Sequence, residues 1–370
     1  MFWSLSSDLT TIRVGGASMV LTLISGDAPS ADESGRNSCR IAVVPSMGLG
    51  DSLIYLVIAN NLARAGYRVT MLSNHLAHFA PWLPALEMLP FPEVEDTLGI
   101  ADAYDLVISD CGSIVTSAAS DKARLAERFV FVGTLRVDTA YVHDHLPRLK
   151  QRVGADTASV MSRIATCAGP MRVLNDDSVS MVDQAVAFCQ LKLGLGNASA
   201  DPGFVMPHTL IPRRHPFRVM LHPTSYNEKK NWPHQKYLNL ARRLRQNGYD
   251  PQFVISPKEF ALWAPRLGEE FPIPRFANAC ELAAYLYESG YVVGNDSGVG
   301  HLASAIGVPV LTLFRKRRDG FCWRPGWGRN VVVRPVISVG AFRNSWKRFL
   351  SVGRVEKAFR LLARQHQSVS

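Results

Sequence analysis

No apolar run in this 370-residue chain reaches the roughly 18 residues that a membrane-crossing helix requires, so no transmembrane helix is expected. Residues 14–24 are mildly apolar and precede small residues, like a weak signal-peptide core. Asp8 stands before them, and Gly15, Gly16 and Ser18 interrupt them. Residues 1–38 are therefore expected to form a poorly ordered extension, with Met19 as an alternative start. Cysteine is sparse and scattered: Cys39, Cys111, Cys167, Cys189, Cys280 and Cys322 form no CxxC pair and no Cys/His cluster. That spacing argues against structural zinc and against a disulfide framework, and it fits reduced thiols in the cytoplasm. A GxGxxG fingerprint is also missing from the first glycine-bearing turn, which weakens a dinucleotide-binding reading.

Acidic residues run short toward the C-terminus. From residue 315 onward 14 Lys and Arg face only Asp319 and Glu356, while the whole chain carries a net charge of +10. The basic excess is thus a C-terminal feature. It suits an anionic lipid head group, a phosphorylated acceptor or nucleic acid, or else it is a solvated face with no partner. Nucleic acid ranks last, because these residues match no known recognition module.

What is present reads as two α/β halves. The length suffices for two cores, and 47% hydrophobic with 19% charged residues argues against long disorder. The chain is organised around residues 294–303, Gly-Asn-Asp-Ser-Gly-Val-Gly-His-Leu-Ala. A buried strand at 291–293 precedes them, a helix start follows, and another buried strand occupies 308–314. Such a strand–turn–helix aims free backbone N–H groups and a positive helix end at one spot. Gly298 and Gly300 permit close approach, and a phosphate or pyrophosphate is the natural guest. The rival reading makes Asp296 or Ser297 a plain helix cap.

The first half opens with a buried strand at 40–45, a glycine-bearing turn at 46–51, a mostly apolar helix at 52–64 and a strand at 68–72. That order implies a right-handed parallel crossover and sets residues 48–51 at the carboxyl edge of a sheet. Further strands are expected at 105–109 and 128–132, then a mostly helical stretch from 149 to 195 with breaks near 169–170 and 175–177. Pro202, Pro207, Pro212 and Pro216 mark a connection. Beyond it come strands at 218–222 and 252–255, helices at 234–246, 258–267 and 279–289, and basic amphipathic helices at 342–350 and 353–364. The expected division is an N-terminal extension 1–38, a Rossmann-like domain 39–205, a Pro-rich linker 206–216, a second Rossmann-like domain 217–335 and a basic helical tail 336–370. The two domains should face each other across a cleft.

Three motifs carry chemistry. Gly50-Asp51 lies in the first turn. His-Pro-Thr-Ser at 222–225 is followed by Lys-x-Trp-Pro at 230–233, and Asp-Ser-Gly-x-x-His-Leu-Ala-x-Ala-x-Gly-x-Pro-x-x-x-Leu-Phe runs from 296 to 314. Lys230 at a helix amino end opposes the dipole, so either a phosphate or plain solvent explains it. Together, in this order, the motifs resemble glycosyltransferase family 9, the lipopolysaccharide heptosyltransferases, across residues 40–330.

The resemblance implies the GT-B fold and an inverting glycosyltransferase. Its donor would be a nucleotide-diphospho-sugar, with ADP-heptose foremost. Its acceptor would be an anionic bacterial glycolipid or another glycan, met in the cytoplasm or at the inner-membrane surface. It implies Asp51 as general base, with a helix-cap role as the rival. Thr224, Ser225 and Lys230 would hold the donor phosphates. The turn of Ser297, Gly298 and Val299 would bind the pyrophosphate, with Asp296 and His301 close by and Glu259 on the ribose. For His301, packing or capping stands beside donor contact. No cofactor and no metal are expected, since a lysine and a helix amino end can stabilise a departing diphosphate. The chain departs from the family at Val57, where Pro is frequent, at Arg315, where Gly is frequent, and at Ser297, where Thr is usual. The Arg315–Arg318 run is no hallmark of the family, and the first half holds no clear basic acceptor cluster. Two other readings of the same fold are a nucleotide-sugar 2-epimerase and a non-catalytic binding subunit.

Overall fold

The computed structural model describes residues 12–14, 17–19, 36, 39–92, 97–118, 121–315, 321–336 and 346–367. Most of the expected N-terminal extension, residues 316–318 of the basic run and residues 342–345 of an expected helix lie outside them. Within the first 38 residues, Ile12–Val14 pairs with Ala17–Met19 as a short antiparallel ribbon.

Two parallel sheets carry the rest. The first holds β1 (Arg40–Val44), β2 (Arg68–Leu72), β3 (Glu87–Leu89), β4 (Leu106–Ser109), β5 (Val130–Gly133) and β6 (Gly169–Pro170). Its order is β3-β2-β1-β4-β5-β6, parallel throughout. The second holds β7 (His215–His222), β8 (Asp250–Phe253), β9 (Ser289–Asn295), β10 (Val310–Leu313) and β11 (Val331–Val333) in the parallel order β8-β7-β9-β10-β11. Strand order reverses between β1 and β4 in the first sheet and between β7 and β9 in the second. A crevice opens beyond the strand ends at each reversal, which is where open α/β sheets take ligands.

The strands read as unbroken apolar runs because both sheet faces are covered. All of β4, β5, β9 and β10 is buried. Helix α1 (Leu49–Arg64) is buried at every position from Ser52 to Leu62. The reason is its surroundings: it packs on β2, on helix α2 (Met181–Leu191) and on helix α6 (Gly298–Ala305) of the second half. One core therefore runs from the first half through Leu53 and Val57 to Leu302 and Ile306. Two polar exceptions on α1 secure the connecting stretch. Asn60 Nδ2 donates to Asp201 O at 2.9 Å, and Asn61 exchanges hydrogen bonds with Ser199, donating at 2.8 Å and accepting at 2.9 Å.

In the second half, α3 (His234–Gln246) begins and ends at its expected residues, while α4 (Phe260–Leu267) and α5 (Ala279–Tyr287) are shorter than expected. Strand β8 starts two residues before its expected place and includes Pro251. As an edge strand it needs no second partner for the missing N–H. Strands β3 and β6 were not expected: the second occupies a Gly-Pro pair read as a helix break. The C-terminal segment belongs to the second core. Helix α7 (Val352–Gln367) buries Val355, Phe359 and Leu362, and Phe359 packs edge-on against Tyr249 and Tyr291. Each such fully buried apolar side chain contributes about 1.5–3 kcal/mol. Arg354, Lys357 and Arg360 of α7 face outward.

Candidate active site

The two crevices meet. On the first side, Asp51 is the third residue of α1, just beyond the extended N-cap residue Gly48. Ser52 Oγ reaches back to Ser46 O at 3.1 Å and to Gly48 O at 2.9 Å, which pins the turn. Ser46 Oγ donates to Asp51 Oδ2 at 3.3 Å and is the carboxylate's hydrogen-bond donor among the described residues. The carboxylate is therefore not spent on capping the helix. Burial pushes its pKa up to about 6, and neighbouring Asp110 adds to the rise. The Ser46 hydrogen bond and the Lys230 ammonium pull the other way, and Asp296 pushes up again.

On the second side, the turns after β7 and β9 lie together. Lys230 Nζ pairs with Asp296 Oδ2 at 2.7 Å, with side chains 37% and 18% exposed. Asn295 stitches these turns. Its Nδ2 donates to Pro223 O at 2.7 Å and to Asn231 Oδ1 at 3.4 Å, while its Oδ1 accepts from Trp232 N at 3.1 Å and from Tyr237 Oη at 3.0 Å. Ser225 Oγ closes the set on Asn231 Oδ1 at 2.8 Å. The C-terminal segment clasps the same loop from behind: Trp346 Nε1 donates to Lys229 O at 3.2 Å, and Trp232 Nε1 donates to Leu350 O at 3.0 Å. Lys230 is thus held on a buttressed loop.

Ser297 is the N-cap residue of α6 in extended conformation, yet its hydroxyl makes no cap bond. Its Oγ, Thr224 Oγ1 and His301 Nδ1 are buried without a hydrogen-bond partner among the described residues. Buried polar atoms are rarely left unpaired, and three on neighbouring turns mark a place built for a polar guest. Burial holds His301 below the usual imidazole range, so its ring is neutral near pH 7. The corner remains open in part, since Asp296, Ser297, Gly298 and Val299 are all half-buried. Glu259 stands at the N-cap of α4, where it accepts from Ser256 Oγ at 2.6 Å. It acts electrostatically on His222 at the end of β7. No three His, Cys, Asp or Glu side chains gather as a metal site among the described residues.

All ten expected residues therefore lie on the turns and helix starts that follow strands at the carboxyl edges of the two sheets. Asp51, Lys230, Asp296 and His301 interact, Thr224 and Ser225 sit on the adjoining turn, and Glu259 interacts with His222 at the end of β7. Sequence reasoning missed Ser46, Tyr55, Asp110, Asn231 and Asn295. The available signal was a polar residue at the carboxyl end of a buried strand, which marks both Asp110, just after β4, and Asn295, the last residue of β9.

Comparison with known proteins bears on this arrangement. Residues 177–338 match the family model of glycosyltransferase family 9 (heptosyltransferase). Lipopolysaccharide heptosyltransferase 3 of Escherichia coli is 31% identical over 31% of this chain. Lipopolysaccharide heptosyltransferase 1 of Pseudomonas aeruginosa is 33% identical over 36% of it. The matched stretch spans about a third, 35%, of the length of each of these relatives. Among solved structures, E. coli heptosyltransferase WaaC with ADP-2-deoxy-2-fluoro heptose superposes with a TM-score of 0.58 at 16% identity, over 87% of this chain and 99% of that one. E. coli ADP-heptose lps heptosyltransferase II gives 0.58 at 14% identity, over 89% and 99%. At that identity the likeness establishes the fold, two parallel-sheet lobes of GT-B type. Residues 177–338 are thus similar to glycosyltransferase family 9, and the chain as a whole has the GT-B fold.

Proposed function

We propose that the chain is an inverting glycosyltransferase that moves a sugar, foremost heptose from ADP-heptose, onto a hydroxyl of a bacterial glycolipid or other glycan. The observation that carries this reading is the meeting of Asp51 with the Lys230–Asp296 pair where the two sheet edges face each other. A carboxyl group pushed up to about 6 is ionised at neutral pH and still basic enough to take a proton. Asp51 removes the acceptor hydroxyl's proton as that oxygen bonds to the anomeric carbon. The bond from that carbon to the diphosphate breaks on the opposite face, and the diphosphate leaves with the electron pair. Lys230, the N–H groups at the start of α6 and the hydroxyls of Thr224 and Ser297 receive the charge, without a metal. Glu259 meets the nucleotide ribose. WaaC, named with ADP and with an ADP-heptose analogue, supports a nucleotide-diphosphate donor.

The acceptor is met at an anionic membrane surface in the cytoplasm, against the outward Arg354, Lys357 and Arg360 of α7. No described helix is long and apolar enough to cross a membrane, so contact of this kind is peripheral. The test is product formation from ADP-heptose with lipopolysaccharide-core acceptors, alongside a thermal-shift series with ADP, UDP, GDP and dTDP. Transfer with preferential stabilisation by ADP is expected. Conversion of a nucleotide sugar without any acceptor would instead mark an epimerase, and no turnover of any donor would mark a binding subunit.

A further inference from the structure

Lys230 stands between two residues that are tied to one and the same C-terminal segment. Before it in the chain, Lys229 O accepts from Trp346 Nε1 at 3.2 Å. After it, Trp232 Nε1 donates to Leu350 O at 3.0 Å. Trp346 and Leu350 are themselves joined one helical turn apart, with Leu350 N donating to Trp346 O at 2.9 Å. The circuit from Lys229 through Trp346 and Leu350 to Trp232 therefore closes around Lys230. An indole N–H can only donate and a carbonyl can only accept, so the direction of both side-chain bonds is fixed.

The segment has an anchor of its own. Lys236 Nζ donates to Lys347 O at 2.6 Å, to Leu350 O at 3.0 Å and to Arg348 O at 3.3 Å, at the carboxyl end of the short helix Trp346–Phe349. An ammonium carries three donors and suits the negative end of a helix. Trp346 is 2% exposed, and Trp232 is fully buried with Tyr237 edge-on at 5.1 Å. The loop by itself has little to hold it. Residues 227–229 are exposed, and Glu228–Lys230 is a single turn of 3-10 helix, with Lys230 N on Asn227 O at 2.8 Å and Asn231 N on Glu228 O at 3.0 Å. One such turn is marginal on its local bonds alone.

We propose that the C-terminal segment is part of the donor site, with Trp346 as the positioning residue that holds Lys230 where the diphosphate is received. A lysine already fixed in place spares the ligand the cost of ordering the loop. The effect on donor binding rests on the reading of Lys230 as a phosphate-holding residue, whereas the hold on the loop does not. The segment lies beyond residues 177–338, the family-matched stretch.

Trp346→Phe tests this in the full chain, because it removes the N–H and keeps a buried ring. Hydrogen exchange at the amides of Lys230 and Asn231 should become roughly 3- to 10-fold faster, since the turn then opens more often. Unchanged exchange overturns the hold on the loop, whether or not any nucleotide binds. Calorimetric titration with ADP should show roughly 3- to 10-fold weaker binding, the range for one neutral hydrogen bond. In a Lys230→Ala background the same substitution should change ADP affinity less than about twofold. An equal loss in both backgrounds would mean that Trp346 acts through the fold as a whole, and it overturns the role in placing Lys230. Should Trp346→Phe fail to fold, Lys236→Met frees the other end of the segment and carries the same three measurements. A wild type that binds no nucleoside diphosphate overturns the reading of Lys230 and with it the link to the donor, and the exchange measurement still decides the hold on the loop.

Discussion

Gly298 of the second lobe lies so close to Gly50 of the first that a side chain on Gly298 would force a shift. A Cβ on Gly298 would stand 2.9 Å from Leu49 Cβ and 3.1 Å from Gly50 N, and one on Gly50 would stand 3.1 Å from His301 Cδ2. The amino ends of α1 and α6 therefore meet backbone to backbone. That contact brings Asp51 under the influence of Lys230 and Asp296. Gly298→Ala should push the two helix starts apart. We expect a loss of about 1–3 kcal/mol in stability from overpacking. Donor turnover should fall more steeply than donor affinity. Denaturant melts and steady-state kinetics check this, and unchanged kcat would remove the contact from any role in catalysis.

Asp51→Asn should separate stability from activity. The folded-state pKa of about 6 lies above the ordinary value of 3.8. The folded protein thus binds a proton more tightly than the unfolded chain, and stability falls as pH rises from 3.8 to about 6. Removing the charge should stabilise the protein by about 1–3 kcal/mol at neutral pH and above, with little gain near the ordinary carboxylate pKa. Transfer should drop roughly 100-fold or more. A variant that is less stable at about pH 8, or fully active, would count against the assignment.

Lys230→Ala should weaken binding of a nucleoside diphosphate by roughly 10- to 100-fold, the range for a lost charge-assisted hydrogen bond. Its effect on folding should be under about 1 kcal/mol, because the Lys230–Asp296 pair is more than a third exposed on the lysine side. Calorimetric titration with ADP, set beside a melting curve, separates the two effects. Equal affinity in variant and wild type would leave Lys230 as a surface ion pair.

Asn295→Asp should be among the more damaging isosteric changes in the second lobe. The amide uses both donors and both acceptor sites on segments that carry Thr224, Ser225 and Lys230. A carboxylate would leave Pro223 O without its donor and bury a charge 1% exposed. We expect a cost of about 2–4 kcal/mol together with weaker donor binding. A melting temperature equal to wild type would show that the loop is held by other contacts.

Much of this fold was legible in order along the chain. The apolar runs of β1, β7, β9 and β10 and the glycine-bearing turns behind β1 and β9 announced two parallel sheets, because strands covered on both faces must be apolar throughout. The His-Pro-Thr-Ser and Lys-x-Trp-Pro motifs located the loop that holds Lys230, and Asp-Ser-Gly located the start of α6. Strands β3 and β6 were hidden because each is a short edge with little apolar signal of its own.

Local pattern alone determined which turns end the strands and which residue types stand on them, since strand, turn and helix follow from neighbours in sequence. Tertiary structure decided which of those turns meet. Only the packing of α1 against α6 brings Asp51 toward Lys230 across a separation of 179 positions in the chain. Only the reversal of strand order sets Asp110 beside Asp51, and only burial changes what their carboxyl groups do with a proton. Proximity and desolvation belong to the folded molecule, and no sequence window contains them.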